Sequence, residues 1–247
     1  GDGGNSDFGA AEVRAFRKMA SGGMSMEQIL RKSMEAIRPL DADAMEAARK
    51  RQMALAKPPG SLGRLEDLSV QLAGITGQVH NTVNRQHLLV FAADNGVVEE
   101  GVSSAPQSVT LMQTVNLTRA KTGASVLAKH FGCGITVCDV GVNAVIRDSA
   151  VLNRKIAFGT QNMTKGPAMT RQQAVQAILT GLELAKETPA DVLGIGEMGI
   201  GNTTTSSAVL SVLLNVEPEK VTGRGGGVTD EGFRKKKAAI QKAIAVN

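Results

Sequence analysis

Two patterns of hydrophobic positions divide the chain. Before residue 77, apolar residues recur at the spacing of a helix face, which predicts amphipathic helices over 26–37, 41–56 and 65–76. After residue 86, short and almost wholly apolar runs predict strands over 88–92, 135–140, 151–158 and 191–193. Between and after these strands, helices are predicted over 108–119, 122–130, 172–186, 206–214 and 231–246. Strands that are apolar on both faces and separated by helices are typical of parallel sheets, so the pattern predicts an α/β fold.

Helix-breaking residues give the predicted domain boundaries. Residues 1–23 are rich in glycine, serine and charge, and we expect a flexible tail, with Met24 or Met26 as candidate natural starts. The segment 57–63 contains two prolines and two glycines and cannot continue a helix. We therefore predict a small N-terminal helical subdomain over 24–64 and an α/β parallel-sheet domain over 65–247.

Composition narrows the classes of ligand and partner. The net charge of +5 favours anionic ligands, whereas six Phe with neither Trp nor Tyr argue against the aromatic platforms of single-stranded nucleic-acid binders. No apolar run reaches the length of about 18 residues that a membrane-spanning helix needs, and the first residues lack a signal-peptide core. Cys133, Cys138 and the three His match no zinc-binding spacing, so we predict no metal site and reduced thiols in a cytoplasmic protein.

The most informative segment is the glycine-rich stretch 193–204, which lies between a predicted strand and a predicted helix. This arrangement directs backbone N–H groups and a helix N-terminus at an anion. Asn202, Thr203 and Thr204 can cap the helix or donate to phosphate oxygens. Glu197 would repel a phosphate, which favours a role as a general base or as an acceptor for a substrate N–H.

Two alternatives stay open for the glycine-rich segments. The glycines within 194–199 have the spacing of a dinucleotide-binding fingerprint, although Glu197 places a negative charge where the pyrophosphate would lie. A second cluster, 222–228, precedes the basic helix. It is either a phosphate-binding turn, with charge supplied by one of the lysines at 235–237, or a flexible surface turn.

Taken together, these segments resemble a known family. Six stretches look like motifs of the nicotinate-nucleotide–dimethylbenzimidazole phosphoribosyltransferases: 57–66, 93–97, 139–141, 166–169, 196–204 and 223–225. Each motif is weak alone, but the set is highly specific, and it runs from about residue 26 to the last residue. The resemblance implies a Rossmann-like parallel sheet flanked by helices and a homodimer. It also implies that the chain is similar to an N-terminal portion of such an enzyme, without the later segment that carries the family's assigned general base.

The activity that the resemblance implies is phosphoribosyl transfer without a cofactor. Nicotinate mononucleotide would react with 5,6-dimethylbenzimidazole, or a related lower-ligand base of cobalamin, to give α-ribazole 5′-phosphate and nicotinate. The alternative is a non-catalytic nucleotide-binding module or an NAD-type dinucleotide-binding domain. By motif, Glu197 is implied to be catalytic. The residues implied to contact the substrates are Gln113, Ala105, Pro106, Met198, Gly199, Asn202 and Thr203. Those implied to hold the phosphate are Gly225, Gly226, Gly227 and Lys236.

Asn95 and three of the implied contact residues, Ala105, Gln113 and Met198, need comment. Asn95 stands where the family usually has His, and Ala105 stands where a Ser often meets the base. Gln113, taken by itself, is typical of a solvated helix residue, so its role depends on the resemblance. Because aromatic residues are scarce, Met and Leu side chains such as Met198 are expected to sandwich a flat substrate.

Overall fold

The computed structural model describes residues 23–247, so almost all of the predicted flexible tail lies outside the described residues. Contacts divide the chain into two compact units. One unit is Gln28–Asn84, and the other is Arg85–Asn247 together with residues 23–27. The division therefore falls between residues 84 and 85, whereas the sequence pattern predicts it at residue 64.

The unit formed by Gln28–Asn84 is helical. It contains α2 (Ala42–Ala54), α3 (Arg64–Thr76) and all but the first two residues of α1 (Met26–Glu35). The Asp41 carboxylate begins α2 by accepting a hydrogen bond of 2.9 Å from the Ala44 N–H. Small side chains let α2 and α3 pack closely, with a core of Ala44, Ala48 and Ala73. The helix predicted over 65–76, at the start of the α/β domain, is α3 and packs within this helical unit.

The second unit contains a four-stranded sheet that is parallel throughout. Its strands are β1 (Gln86–Ala93), β2 (Gly134–Gly141), β3 (Val151–Asn153) and β4 (Val192–Met198), in the spatial order β3-β2-β1-β4. A 3₁₀ helix, Gly96–Glu100, follows β1. The α-helices are α4 (Ser108–Thr118), α5 (Gly123–His130), α6 (Arg171–Glu187), α7 (Asn202–Leu214), α8 (Pro218–Val221) and α9 (Asp230–Val246). The predicted α/β fold with a parallel sheet is confirmed.

Both faces of the sheet are covered at the central strands β1 and β2, which explains why these strands are largely apolar. Successive residues of a strand point to opposite faces. Leu89 accordingly packs with Cys138 and Leu184 on one face, and its neighbour Val90 packs with Val137 and Leu117 on the other. Among residues 23–247, no helix is both long and apolar enough to cross a membrane.

Two predicted strands have the wrong extent. The third strand ends at Asn153 instead of residue 158, because the Asn153 side chain accepts from the Lys155 N–H and Lys155 turns inward to form an ion pair of 2.8 Å with buried Asp139. The fourth strand continues to Met198 and absorbs two glycines that the sequence pattern assigns to a loop.

The strand order fixes where a ligand can bind. The chain adds β2 and then β3 on one side of β1, and it returns to place β4 on the other side. In open parallel sheets, ligands bind beyond the carboxyl ends of the strands at such a reversal point. The carboxyl ends of β1 and β4 therefore mark the expected site.

A reciprocal capping box begins α6. Thr170 accepts from the Gln173 N–H, and Gln173 accepts from the Thr170 N–H at 2.9 Å. We expect Thr170→Ala to lower the free energy of unfolding by about 1 kcal/mol, because it removes one side of this box. Urea denaturation followed by circular dichroism measures the change. Thr170→Ser, which keeps the hydroxyl, is expected to be nearly neutral, and equal losses for both variants would contradict the capping role.

Candidate functional site

A cavity of about 280 Å³ opens at the carboxyl end of β4. Three segments enclose it: the one that follows the 3₁₀ helix, the connection from β4 into α7, and the glycine-rich turn before α9. The lining residues are Val102, Ser103, Ser104, Ala105, Glu197, Met198, Gly199, Ile200, Gly201, Asn202, Thr203, Arg224, Gly226 and Val228. The cavity thus lies where the strand order predicts a ligand.

The connection from β4 to α7 is shorter than the sequence suggested. Gly194 and Gly196 pair with Leu88 and Val90 inside the sheet, so the turn itself is only residues 199–201. A dinucleotide-binding fingerprint needs its first glycines in the turn after the strand. The fingerprint interpretation of 194–199 is therefore wrong, because its first two glycines belong to the strand.

Close packing of β1 against β4 sets the shape of this turn. A β-carbon at Gly199 would lie 2.1 Å from the carbonyl oxygen of Ala93, the last residue of β1. Gly201 has a φ of +87°, a conformation that side chains disfavour. The Ile200 N–H donates to the Thr110 hydroxyl at 3.0 Å, so this amide points into the protein and does not serve a bound anion.

Glu197 is the penultimate residue of β4 and lines the cavity. Its carboxylate accepts a hydrogen bond from the Asn202 side-chain amide at the start of α7. Its surroundings partly desolvate the carboxyl group, and this burial raises its pKa. A carboxylate that faces a cavity with a raised pKa is suited to accept a proton from a bound heterocycle.

The second glycine cluster forms the turn between α8 and α9. Gly225 and Gly227 have φ values of +56° and +88°, which glycine adopts without strain. The Ser104 hydroxyl donates to the Gly226 carbonyl at 3.3 Å, which ties the turn to the segment after the 3₁₀ helix. Of the predicted phosphate residues, only Gly226 lines the cavity directly.

Lys236 occupies an unexpected position. Its side chain is 1% exposed and does not line the cavity. The ammonium group donates to the Thr203 hydroxyl at 2.7 Å and to the Gly223 carbonyl at 2.9 Å. Burial lowers its pKa. The structure therefore brings Lys236 next to the cavity wall, behind Thr203, instead of into the open space.

Sequence reasoning missed the cation that does line the cavity, Arg224. Its guanidinium group pairs with Asp230 at 2.5 Å, donates to the Val228 carbonyl at 3.1 Å and stacks over the Phe233 ring. The available signal was its place inside the glycine cluster, where an arginine can present a charge to a ligand held by the turn.

Asn95, two residues after the end of β1, connects this strand to the β4–α7 turn. Its side-chain amide donates to the Ile200 carbonyl at 3.3 Å, and its side-chain oxygen accepts from the Thr205 hydroxyl at 3.1 Å. These bonds join the end of β1 to the β4–α7 turn and to α7. Asn95 therefore supports the wall of the cavity from behind.

The structure brings some of the implied site residues together and leaves others apart. Seven of them share the cavity: Ala105, Glu197, Met198, Gly199, Asn202, Thr203 and Gly226. Gln113 and Pro106 are not among its lining residues. Gln113 lies on α4 and accepts a hydrogen bond of 3.4 Å from Asn116 on the same helix.

The structure thus combines an α/β fold around a parallel sheet with a cavity at the carboxyl end of its fourth strand. The sequence model described as Phosphoribosyltransferase matches residues 37–247, so the chain belongs to that family.

Curated relatives of this chain carry a more specific name than the family. The nicotinate-nucleotide–dimethylbenzimidazole phosphoribosyltransferase of Clostridium tetani is 45% identical over 223 residues, which are 89% of this chain and 62% of the relative. The enzyme of that name from Alkaliphilus metalliredigens is 49% identical over 222 residues, 88% of this chain and 64% of the relative. The chain therefore spans less than two thirds of the length of these relatives.

Solved structures agree with the predicted fold. The crystal structure of CobT from Thermus thermophilus has a TM-score of 0.80 and 42% identity, over 82% of this chain and 62% of that one. A second structure from the same organism, named as nicotinate-nucleotide–dimethylbenzimidazole phosphoribosyltransferase, has a TM-score of 0.78 and 40% identity, over 83% of this chain and 62% of that one.

Proposed function

We propose that this chain contains the substrate-binding core of an enzyme that transfers phosphoribose from nicotinate mononucleotide to a benzimidazole-type base. The observation that carries this proposal is that Glu197, Thr203 and Gly226 line one cavity at the reversal point of the sheet. The family relationship and the names of the relatives support the choice of substrates. The product would be the α-ribazole 5′-phosphate used for the lower ligand of cobalamin.

The chemistry is a displacement at the anomeric carbon. A ring nitrogen of the base forms a bond to C1′, the bond from C1′ to the pyridine nitrogen breaks, and its electron pair neutralises the positive charge of the departing nicotinate. Because the leaving group is already cationic, it needs no protonation to depart. The protein must orient two planar reactants, hold the phosphate and accept the N–H proton of the attacking base, for which Glu197 is our candidate.

The same proposal includes a cytoplasmic homodimer that acts on small molecules and binds no nucleic acid. Free thiols at Cys133 and Cys138 are consistent with a reducing compartment. On α7, Val212 and Leu213 are 61% and 76% exposed, which supports a contact that the isolated chain leaves open. The scarcity of aromatic residues supports the absence of a nucleic-acid partner.

Calorimetry and a turnover assay on one protein batch test the proposal. We expect saturable binding of nicotinate mononucleotide by calorimetry. Liquid chromatography after addition of 5,6-dimethylbenzimidazole then measures whether nicotinate and α-ribazole 5′-phosphate form in equal amounts, which tests whether this chain alone is sufficient for turnover. Binding without turnover would support a non-catalytic nucleotide-binding chain instead. Failure to bind the mononucleotide would refute the proposal.

A further inference from the structure

Asn95 is 9% exposed and uses both ends of its side-chain amide in hydrogen bonds. Its Nδ2 group donates to the Ile200 carbonyl at 3.3 Å, and its Oδ1 atom accepts from the Thr205 hydroxyl at 3.1 Å. Ile200 is the middle residue of the β4–α7 turn, and Thr205 is the fourth residue of α7. One side chain near the end of β1 therefore holds both the turn and the helix that follows it.

The peptide groups of Ile200 are held from two directions. Its N–H donates to the Thr110 hydroxyl of α4 at 3.0 Å, while its carbonyl accepts from Asn95. Close packing adds to this restraint. A β-carbon at Gly199 would lie 3.0 Å from the Asn95 side-chain nitrogen, and one at Gly201 would lie 3.5 Å from the Asn95 β-carbon. The turn thus packs against Asn95 on both sides of Ile200.

The restrained turn separates Glu197 from the residue that contacts its carboxylate. Glu197 comes before the turn, and the side-chain amide of Asn202, directly after the turn, donates to the Glu197 carboxylate. Asn202 and Thr205 are three positions apart on one helix, so they lie on the same side of it. A bond that fixes Thr205 to the end of β1 therefore also fixes the position from which Asn202 reaches Glu197.

We propose that Asn95 is a positioning residue that keeps the Asn202 amide against the Glu197 carboxylate. It does so by fixing the β4–α7 turn and the start of α7 to the end of β1. The carboxylate is thereby held in one orientation at the cavity, where a displacement of about 1 Å can cost about 10²-fold in rate. The inference rests on the proposed function, in which Glu197 accepts the proton of the attacking base, and it assigns Asn95 no contact with substrate.

Titration of Glu197 followed by carbon-13 NMR tests this arrangement in the unliganded chain. The glutamate carboxyl carbons are labelled, and the spectrum of Glu197→Gln identifies the Glu197 signal. A donated hydrogen bond stabilises the charged carboxylate, so its loss favours the protonated form. We therefore expect Asn95→Ala and Asn202→Ala each to raise the pKa of Glu197 above that in the unaltered chain. In the Asn202→Ala background, Asn95→Ala should cause no further shift, because both act through one hydrogen bond.

Conservative variants separate positioning from a general loss of packing. Thr205→Val removes the hydroxyl that donates to Asn95 and should also raise the pKa of Glu197, whereas Thr205→Ser keeps the hydroxyl and should restore the pKa. Thr180→Val is the matched control, because the Thr180 hydroxyl donates to the Gln176 carbonyl at 2.9 Å within α6, and the pKa of Glu197 should not change. A shift in this control, or none in Thr205→Val, would overturn the proposal. If Asn95→Ala fails to fold, the Val and Ser variants at Thr205 decide the question.

Kinetics extend the test to the reaction. We expect Asn95→Ala to lower the rate of nicotinate release by about 10-fold or more, while the half-saturating concentration of nicotinate mononucleotide changes by less than about threefold. In the Glu197→Gln background, the same substitution should cause no further loss of rate. A higher half-saturating concentration with an unchanged rate would show that Asn95 supports binding alone, and it would overturn the positioning role.

Failure of this inference is distinguishable from failure of the proposed function. If the unaltered chain binds the mononucleotide, and Asn95→Ala and Thr205→Val leave the pKa of Glu197 unchanged, the inference is wrong and the proposed function stands. If the unaltered chain does not bind the mononucleotide, the proposed function fails. The titration of the unliganded chain then still decides whether Asn95 positions Glu197, and it decides the same question for a chain that binds without turnover.

Discussion

Replacing Glu197 with glutamine is expected to lower the rate of nicotinate release by about 10²–10⁴-fold, the range that loss of a general base produces. Glutamine has nearly the same shape and can still accept from the Asn202 amide, but it cannot take up the proton of the attacking base. The half-saturating concentration of the mononucleotide should change far less, because Glu197 is not proposed to hold the phosphate. Steady-state kinetics with varied mononucleotide separate the two effects.

The dependence on pH gives a second signature of the same role. Partial burial raises the pKa of Glu197. Only the deprotonated carboxylate can act as a base, so activity should be lost as the pH falls through this raised pKa. The loss should occur at a higher pH than an ordinary glutamate would produce. In Glu197→Gln the acid limb should disappear. Glu183→Gln serves as the matched control and should keep both rate and profile, because Glu183 lies on α6, pairs with Arg154 at 4.0 Å and does not line the cavity. Unchanged turnover in Glu197→Gln would reduce Glu197 to a structural acceptor.

The sheet could be predicted from the sequence because a strand that is buried on both faces is apolar at consecutive positions. Leu89 and Val90 pack on opposite faces, so every position of β1 near them had to be apolar. Apolar strands of this kind, separated by segments with the periodicity of helices, are typical of a parallel α/β fold. Of the stretches that carry the family resemblance, 196–204 lies at the carboxyl end of β4, where the cavity opens.

The extent of β4 could not be predicted, because glycine is common in turns but also occurs in strands where a neighbouring strand packs closely. Gly194 and Gly196 suggested a loop, since glycine permits turns that other residues disfavour. In the sheet they instead accommodate close neighbours, and a β-carbon at Gly194 would lie 3.2 Å from the Leu88 side chain. Only the neighbouring strand reveals this contact, and that strand is distant in sequence.

The arrangement around Lys236 was also hidden from sequence reasoning. A lysine in the run Arg234–Lys237 is typical of a solvated basic face. Burial of one member depends on acceptors from Thr203 and Gly223, which reach it only in the folded chain. For Gln113 the family resemblance implied a contact with the substrate, but the structure places this residue outside the cavity lining.

Replacing Gly199 with alanine is expected to lower the free energy of unfolding by about 2–3 kcal/mol, toward the upper end of the range for overpacking in a tight site. The added β-carbon would lie 2.1 Å from the Ala93 carbonyl oxygen and 3.0 Å from the Asn95 side-chain amide. Relief of this clash requires the ends of β1 and β4 to separate. Because both ends support the cavity, binding of nicotinate mononucleotide should weaken together with stability.

Gly181→Ala provides the matched control for this substitution. Gly181 lies within α6, and a β-carbon there would have no heavy atom within 4 Å outside the local helix backbone. Alanine is the better helix former, so this variant should raise the free energy of unfolding by about 0.5–1 kcal/mol. Urea denaturation of both variants and the unaltered chain gives the comparison. Equal stability of Gly199→Ala and the unaltered chain would show that the strand ends are not packed as closely as the structure places them. A loss in both variants would point to a general cost of adding the methyl group, and only opposite signs support the contact between Gly199 and Ala93.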